Sequence, residues 1–237
     1  MKTVRLFPDA GALVEGALAA VILTIRRSIA ERGSCRIALA GGNSPRSLYE
    51  RLAQAEVDWS ALQLFFGDER CVPPDHASSN YRMAHEALLR HVAIPEVQVH
   101  RIRGELFPEE AARCYIEVLG SEPLDLVLLG MGRDGHTASL FPGGPELEER
   151  ERWVVASRSP IEPRNRVSLS LAALNNARTV LFVVAGADKA DRLALVWREL
   201  EDDAPTCPAA MVRPASGELH WYLDAAASQN GDPTKII

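Results

Sequence analysis

A chain of 237 residues with 47% apolar and 24% charged residues is typical of a globular protein that buries a core without disulfides or metals. Its net charge of −6 argues against a nucleic-acid partner, because proteins that bind nucleic acids present basic faces to phosphates. The longest apolar run, Ala17 to Ile25, is far too short for a membrane span, and the N-terminus lacks the apolar core of a signal peptide. The four cysteines have no CxxC spacing, which favours reduced thiols and a cytoplasmic location without a membrane partner.

The N-terminal part of the chain predicts a long helix, a strand and a second helix. Apolar residues recur every three or four positions after Asp9, which can cap the first helix, and Gly33 is a natural end for it. The strand Arg36 to Ala40 leads directly into the segment GGNSP. In that segment we expect Ser44 to be the N-cap and Pro45 the first residue of the second helix.

Short apolar strands and amphipathic helices alternate along the rest of the chain. The sequence predicts, in order, the strand LQLFF, a helix from Asn80 to His91, the strand VQVHRI, the helix PEEAARCYIEVL, the strands LDLVLLG, RWVVAS, RVSLSL and TVLFVVAG, a helix from Ala187 to Leu200, and the strand LHWYL before a short helix. This alternation predicts an α/β fold with a mostly parallel sheet and helices on both faces. Repeats and linker-like stretches are absent from the sequence, so we expect a single domain over residues 1–237, with roughly the last eight as a polar tail.

Four polar clusters follow predicted strands at their carboxyl ends. They are GGNSP, GDER, GMGRDGHTASLFPG and ADKA. In open α/β sheets, ligands bind beyond the carboxyl ends of the strands. We therefore expect the four clusters to meet at one edge of the sheet.

Two of these clusters are rich in glycine, and the sequence separates their uses. In GGNSP, glycine lets the backbone approach a ligand, and the free amides at a helix start can hold a phosphate, although an ordinary capped turn has the same sequence. The stretch GMGRDG matches the dinucleotide fingerprint, which needs a helix that opens at its third glycine. Because Pro142 follows Gly135 so closely, there is no room for that helix, and a nicotinamide site is disfavoured.

Several side chains in the clusters are candidates for catalysis or binding. His136 lies two residues from Asp134 in a glycine-rich loop, where an imidazole can act as a general base toward water. The charged run Asp68–Arg70 follows a buried strand, which favours a place at the active edge over a solvated turn or an internal ion pair. Arg166 and Lys189 lie near strand ends without an obvious acidic helical partner and are candidate cations for a phosphate.

Two other reaction types find no support in the sequence. The histidines of HEALLRH, His85 and His91, lie six residues apart and so on different faces of a helix, unlike the HExxH pattern of zinc proteases. Neither Ser139 nor Ser170 has the GxSxG context of a nucleophilic serine. We therefore expect no metal site and no covalent serine nucleophile.

The clusters, in this order, resemble the 6-phosphogluconolactonase family, within the larger group that includes glucosamine-6-phosphate isomerase/deaminase. The resemblance extends roughly from residue 36 to residue 227, and it is carried by LAGGNSP, FFGDERCVPPDHASSNY, LVLLGMGRDGHTASLFPG, NRVSLSLAALNNA, VAGADKA and LHWYLDAAA. The family commonly has threonine where this chain has Ser44, a change that keeps the hydroxyl.

This resemblance implies a Rossmann-like α/β fold, no cofactor, and 6-phospho-D-glucono-1,5-lactone as the substrate. The implied phosphate site consists of amides, a hydroxyl and two cations, contributed by Gly42, Asn43, Ser44, Arg166 and Lys189. The partner is then a small phosphorylated sugar lactone, and the protein a monomer or a small homo-oligomer.

The resemblance also implies the reaction, a hydrolysis that yields 6-phospho-D-gluconate in the pentose phosphate pathway. His136 would activate water against carbon 1 and Asp134 would orient it. Asp68 and Arg70 would line the sugar side, where Arg70 could stabilise negative charge on the tetrahedral intermediate.

Two alternative functions stay open from the sequence. A glucosamine-6-phosphate isomerase/deaminase would carry a loop similar to DGHIAFNEPG, and here Leu140 and Phe141 stand where its Asn and Glu would fall. A sugar-phosphate sensor of a transcriptional regulator would place a DNA-binding helix-turn-helix ahead of the sheet, whereas only a short strand and one helix precede Arg36.

Overall fold

The main sheet of the computed structural model, which describes residues 2–200 and 202–231, contains six parallel strands. Their order across the sheet is β1-β9-β8-β5-β2-β3, with β1 Lys2–Phe7, β2 Cys35–Leu39, β3 Leu62–Phe66, β5 Leu126–Leu129, β8 Thr179–Val184 and β9 Glu218–Asp224. Every residue of β5 and β8 is buried. Since successive side chains of a strand point to opposite faces, both faces of the sheet are covered, as the sequence predicts.

The helices follow the strands in alternation and cover the sheet. They are α1 Ala10–Arg32, α2 Asn43–Leu52, α3 Asn80–Ala87, α4 Pro108–Leu119, α5 Leu171–Asn175, α6 Ala190–Glu199 and α7 Pro208–Met211. Helix α1 begins where Asp9 accepts a hydrogen bond from Ala12 N at 2.8 Å, and it ends at Gly33 with φ of 77°. Both of its predicted boundaries are confirmed. Within the described residues, no helix is both long and apolar enough to cross a membrane.

A second, antiparallel sheet was not foreseen from the sequence. It contains β4 Asp68–Arg70, β7 Asn165–Leu169 and β6 Val154–Arg158, in that order. The stretches RWVVAS and RVSLSL therefore form strands as predicted, but outside the parallel sheet. The connection from β6 to β7 is only residues 159–164, too short for the crossover that parallel strands need, so the two strands pair as a hairpin.

Gly67 joins the two sheets. Its N–H donates to Leu39 O at the end of β2, and its C=O accepts from Leu169 N at the end of β7, both at 2.8 Å. The strand β4 begins at the next residue, so the segment after β3 passes directly from one sheet to the other. The carboxyl end of the parallel sheet therefore faces the small antiparallel sheet.

Two buried tyrosines satisfy the backbone where β2 and β3 end. The hydroxyl of Tyr49 in α2 bonds the N–H and C=O of Ala40, at 2.8 and 2.9 Å. The hydroxyl of Tyr115 in α4 bonds the N–H and C=O of Phe66, at 2.7 and 3.1 Å. Both helices are thereby fixed to the strand ends at which the polar clusters begin.

The start of α2 differs from the prediction. Gly42, with φ of 106°, is the N-cap and Asn43 is the first helical residue, so the assignment of Ser44 as N-cap and Pro45 as first residue is wrong. A glycine adopts this positive φ without strain, so the helix can begin two residues earlier than predicted. Proline at the third position is tolerated because the first-turn amides have no partner within the helix.

Other boundaries also differ from the predictions. Helix α3 ends at Ala87 rather than His91, and VQVHRI gives a single 3-10 turn over Glu96–Gln98 with an isolated bridge from Val99 to Leu64. The side chain of Gln98 donates to the backbone carbonyls of Ser60, just before β3, and Leu62, its first residue, which holds this segment as a turn. The stretch after β9 forms turns instead of the expected short helix, and the tail from residue 232 onward lies outside the described residues.

Candidate active site

The four polar clusters meet in one pocket of about 440 Å³ at the carboxyl edge of the parallel sheet. Each cluster contributes lining residues, and the antiparallel sheet adds one wall. Of the predicted site residues, those that line the pocket are Gly42, Asn43, Ser44, Asp68, Arg70, His136, Arg166 and Lys189. The ninth, Asp134, lies behind His136. The sequence-based expectation that the clusters converge is therefore confirmed.

His136 and Asp134 form a close pair at the pocket. The Nδ1 atom of His136 lies 2.6 Å from Asp134 Oδ1, and the backbone N–H of His136 donates to the same oxygen at 3.1 Å. Partial burial raises the pKa of Asp134, but the hydrogen bonds and charge of His136 outweigh it and lower that pKa to about 2. The carboxylate therefore stays ionised, and it fixes the imidazole so that Nε2 is left for another partner. With its side chain 33% exposed, His136 is open to solvent.

The loop that carries this pair has a shape that depends on small residues. A Cβ atom on Gly132 would lie 2.1 Å from His136 Nδ1 and 2.6 Å from Asp134 Oδ1. Gly135 has φ of 87° and Ala138 has φ of 47°, an uncommon conformation for a residue with a side chain. No helix opens at Gly135 within the described residues, as the closeness of Pro142 in the sequence predicts.

Asp68 faces the pocket from the start of β4 and is held by neutral donors. Its carboxylate accepts Asn80 Nδ2 at 3.0 Å and Ser139 Oγ on the other oxygen. Asn80 also packs against the glycine loop, where a Cβ on Gly41 would lie 2.1 Å from its Oδ1. These bonds tie three clusters together around a buried acid.

Glu69, the residue between Asp68 and Arg70, binds the start of α3 instead of lining the pocket. Glu69 points to the other side of β4, where its carboxylate accepts the N–H groups of Asn80 and Tyr81 and the hydroxyl of Ser79, at 2.7 to 2.9 Å. Burial raises the pKa of Glu69, while these donors act in the opposite direction. Glu69 therefore caps the start of α3 and does not reach the pocket.

Arg70 and Arg166 are directly opposite each other on β4 and β7. Neither forms an ion pair within the described part of the chain, and the Nε atom of each is buried without a hydrogen-bond partner there. Arg166 is 5% exposed, and burial followed by the charge of Arg70 lowers its pKa from the usual value. Two guanidinium groups placed in this way leave an unmatched positive charge, which favours an anionic ligand.

The start of α2 forms the next part of the pocket wall. The helix ladder begins when Arg46 N donates to Gly42 O at 3.1 Å, so the amides of Asn43 and Ser44 precede the ladder. Pro45 has no N–H. These two amides, which have no partner within the helix, and the Ser44 hydroxyl are therefore the donors that this turn offers to a ligand.

Lys189 reaches the pocket from the turn after β8, and it has an acidic partner. Its Nζ lies 3.2 Å from Asp188 Oδ2, which also accepts Arg133 Nε at 2.6 Å. The expectation that Lys189 has no obvious acidic helical partner is wrong, because Asp188 lies beside it in the 3-10 turn Ala187–Lys189 and pairs with it. The hydrogen bonds from Arg133 and Lys189 lower the pKa of Asp188, and the two cations outnumber the one carboxylate they share.

The described residues contain no group of three or more His, Cys, Asp or Glu side chains arranged to hold a metal ion. The candidate groups at the pocket are instead one oriented imidazole, one buried carboxylate and three cations. This set is suited to acid–base chemistry on an anionic ligand.

The model of the family described as glucosamine-6-phosphate isomerases/6-phosphogluconolactonase matches residues 8–221. The chain belongs to this family. It is 41% identical over 231 residues to the 6-phosphogluconolactonase of Synechocystis sp., with 93% of this chain and 95% of that protein covered. It is 42% identical over 224 residues to the 6-phosphogluconolactonase of Homo sapiens, covering 85% and 86% of the two chains.

Solved structures agree with this membership of the glucosamine-6-phosphate isomerase/6-phosphogluconolactonase family. The 6-phosphogluconolactonase from Thermotoga maritima superposes with a TM-score of 0.84 at 31% identity, covering 94% of this chain and 100% of that one. A monomeric glucosamine-6-phosphate deaminase has a TM-score of 0.81 at 18% identity. The fold is therefore shared by both branches of the family and does not separate them.

Some residues of this family member's pocket were missed at the level of sequence. Asn80, Ser139 and Ser159 line it, and the first two hold Asp68. Asn80 belongs to the SNY triplet that carries part of the resemblance, so its position there was an available signal. The sequence around Ser139 lacks the context of a nucleophile, and no local pattern marks this residue as a partner of Asp68.

Proposed function

We propose that this chain hydrolyses the lactone ring of 6-phospho-D-glucono-1,5-lactone to give 6-phospho-D-gluconate. The observation that supports this most is the single pocket in which the Asp134–His136 pair lies with the facing arginines and the start of α2. The relatives at 41% and 42% identity that carry the name 6-phosphogluconolactonase support the same substrate.

The phosphate of the substrate would bind at the start of α2. Gly42 lets the ligand approach the backbone, and the amides of Asn43 and Ser44 together with the Ser44 hydroxyl would donate to phosphate oxygens. Arg166 and Lys189 would supply the countercharge. Binding a dianion here relieves the unmatched charge of the buried Arg166, which supports this end of the pocket as the phosphate site.

The attacking water would be activated by His136. Because Nδ1 is engaged by Asp134, Nε2 takes the proton from water as the oxygen attacks carbon 1 of the lactone. The tetrahedral intermediate then collapses, the bond from carbon 1 to the ring oxygen breaks, and the imidazolium returns its proton to that oxygen. A lactone is an activated ester, so one water and one base complete the reaction without a covalent nucleophile.

Arg70 and Asp68 would act on the sugar side. The guanidinium of Arg70 lines the pocket and forms no ion pair among the described residues, so it can donate to the oxygen that becomes negative in the intermediate, a contribution of about 3 kcal/mol for one such donor. Asp68, held in place by Asn80 and Ser139, can accept from a sugar hydroxyl.

The test is the rate of ring opening with purified protein, followed by proton release and corrected for spontaneous hydrolysis in the same buffer. We expect turnover well above the spontaneous rate, and much weaker turnover of glucono-1,5-lactone, which lacks the phosphate. A rate equal to that of buffer alone would remove the proposal.

A second assay separates the two branches of the family. Here Phe141 brings no titratable group and packs its ring 4.7 Å from that of His136. We therefore expect no ammonia release from glucosamine-6-phosphate under conditions in which the lactone is hydrolysed. Ammonia release at a comparable rate would favour the isomerase/deaminase reaction instead.

The setting of the enzyme is part of the proposal. We propose a monomer or small homo-oligomer that works in the cytoplasm on this small phosphorylated lactone, without nucleic-acid or membrane partners and without a cofactor. The acidic composition and the chemistry of lactone hydrolysis support this view. Light scattering of the purified protein measures the oligomeric state.

A further inference from the structure

Glu199, the last residue of α6, is a buried acid outside the pocket. It is 8% exposed, and its carboxylate accepts three hydrogen bonds from one short segment. Thr206 N and Thr206 Oγ1 donate at 2.9 and 2.7 Å, and Cys207 N donates at 2.7 Å. Glu199 therefore fixes residues 206 and 207 at the end of α6, although the chain just before them is exposed.

The segment held by Glu199 in turn holds the loop of the Asp134–His136 pair. Cys207 Sγ donates to Gly135 O at 3.3 Å, and Ala209 N donates to the same oxygen at 3.1 Å. The fit is close, because a Cβ on Gly135 would lie 2.3 Å from Cys207 Sγ. The carbonyl of Gly135 is thus directed away from the pocket by two donors.

The carbonyl of Gly135 and the N–H of His136 belong to the same trans peptide group. Such a group is planar and its C=O and N–H point in opposite directions, so fixing one end fixes the other. The N–H end donates to Asp134 Oδ1, the oxygen that also binds His136 Nδ1. The orientation of this one peptide plane therefore links the Glu199 segment to the imidazole.

We propose that Glu199 is a positioning residue for the Asp134–His136 pair, acting through residues 206 and 207 and the peptide between Gly135 and His136. It touches neither the pocket nor its ligand. The kinetic part of this inference rests on the proposed hydrolysis, and the geometric part does not.

The charged groups around the pair come from five elements. Asp134 lies on the same loop, Arg192 of α6 packs its side chain near Gly135, and Asp188 and Lys189 line the pocket after β8. Asp68 and Arg70 of β4 and Arg166 of β7 line the same pocket. Of these, only Asp134 forms a hydrogen bond or ion pair with His136. A looser peptide plane would therefore chiefly weaken the contact of Asp134 with the ring.

The first test compares Glu199→Ala with the parent enzyme. We expect kcat to fall roughly 10- to 100-fold because the base is misplaced, and KM to stay within about twofold because the phosphate donors are untouched. The acid limb of the kcat profile should move to lower pH, since a loosened Asp134 stabilises the protonated imidazole less. In Glu199→Gln, one oxygen remains for the two amides and the NH₂ can donate to Thr206 Oγ1, so most of kcat should return.

A matched control separates positioning from loss of stability. Asp125 is also a buried carboxylate, but it lies at the opposite end of β5 and pairs with Arg32 and Arg178. Asp125→Asn should lower Tm and leave the pH profile in place. The proposal is overturned if Glu199→Ala lowers Tm but keeps kcat and the profile, or if Asp125→Asn moves the profile equally.

A second variant and a second readout keep the test decisive. If Glu199→Ala does not fold, Cys207→Ala removes only the Sγ donor to Gly135 O and should give a smaller shift in the same direction. NMR of the His136 ring, without substrate, should show its Nδ1–H exchanging with water faster in the variant, because Asp134 holds the ring less firmly. An unchanged exchange rate rejects the positioning role, whether or not the parent hydrolyses the lactone.

Discussion

At the scale of single residues, the proposed reaction depends on how charge is divided between His136 and the cations of the pocket. The imidazole is held by Asp134 and exposes Nε2, whereas Lys189 and Arg166 line the same pocket as cations that can bind an anionic ligand. Loss of the base and loss of a cation should therefore affect different kinetic constants.

The variants His136→Ala and Lys189→Met test this division. We expect His136→Ala to lower kcat by about 10²- to 10⁴-fold with little change in KM, because it removes a group that acts in the transition state. Lys189→Met should raise KM about tenfold, equivalent to about 1.4 kcal/mol, and nearly preserve kcat. Initial rates over a range of lactone concentrations give both constants. Full turnover in His136→Ala would contradict the assignment of the base.

The ionisation of Asp134 should be visible in the pH dependence of stability. Its pKa of about 2 in the folded protein lies below the value of about 3.9 in an unfolded chain, so its contribution is complete above that value and is lost as pH falls toward 2. The free energy of unfolding of the parent should therefore approach that of Asp134→Asn between pH 5 and pH 2. Urea titrations of both proteins across this range measure it, and a difference that grows on acidification would contradict the sign.

At the scale of elements, the loop from Gly130 to Gly144 holds the pair in a shape that a side chain can disrupt. Gly132→Ala should lower kcat about 100-fold, because its Cβ would displace the His136 ring, while circular dichroism and Tm stay close to those of the parent. Gly130→Ala is the matched control, since a Cβ there meets nothing within 4 Å and the loss should be much smaller. Equal losses in both variants would show that the clash is not the cause.

Elements whose signals are local were predicted well from the sequence. The cap at Asp9, the end at Gly33 and the four strand-end clusters depend on residues near each other in the chain, and the structure has them as expected. The start of α2 was predicted two residues too late, because Ser44 and Pro45 both suit a helix start. The positive φ of Gly42 lets the helix begin at Asn43 instead. The pairing of Arg70 with Arg166 joins distant segments, so no local pattern could reveal it.

At the scale of the whole molecule, two sheets of different type share one pocket. The parallel sheet supplies His136 and Ser44, and the antiparallel sheet supplies Arg70 and Arg166. Besides Gly67, the bonds from Ser139 N to Ser168 Oγ and from Ser157 Oγ to Ser139 O connect the His136 loop to the small sheet. We therefore propose that the chain folds as one domain.

Unfolding by denaturant tests this view. Tryptophan fluorescence reports on the packing around Trp197 and Trp221, around Trp59 before β3 and around Trp153 before β6, whereas far-ultraviolet circular dichroism reports on the secondary structure of both sheets. We expect the two transitions to coincide and to shift together when 6-phosphogluconate is added, because the ligand binds only the folded form. Separate midpoints, or a shift of one alone, would indicate two independently unfolding parts.

The single glycine between β3 and β4 has a consequence for how this enzyme can change over evolution. Successive side chains of β4 point to opposite faces of the strand, so Asp68 and Arg70 point into the cavity and Glu69 points away from it. One inserted amino acid at position 67 would reverse that alternation, bringing the carboxylate of Glu69 toward the substrate and turning the arginine outward. Insertions should therefore be absent from this junction in functional homologues. An insertion in the hairpin tip at residues 159–164 would not reverse the alternation of any strand, so this constraint does not apply there.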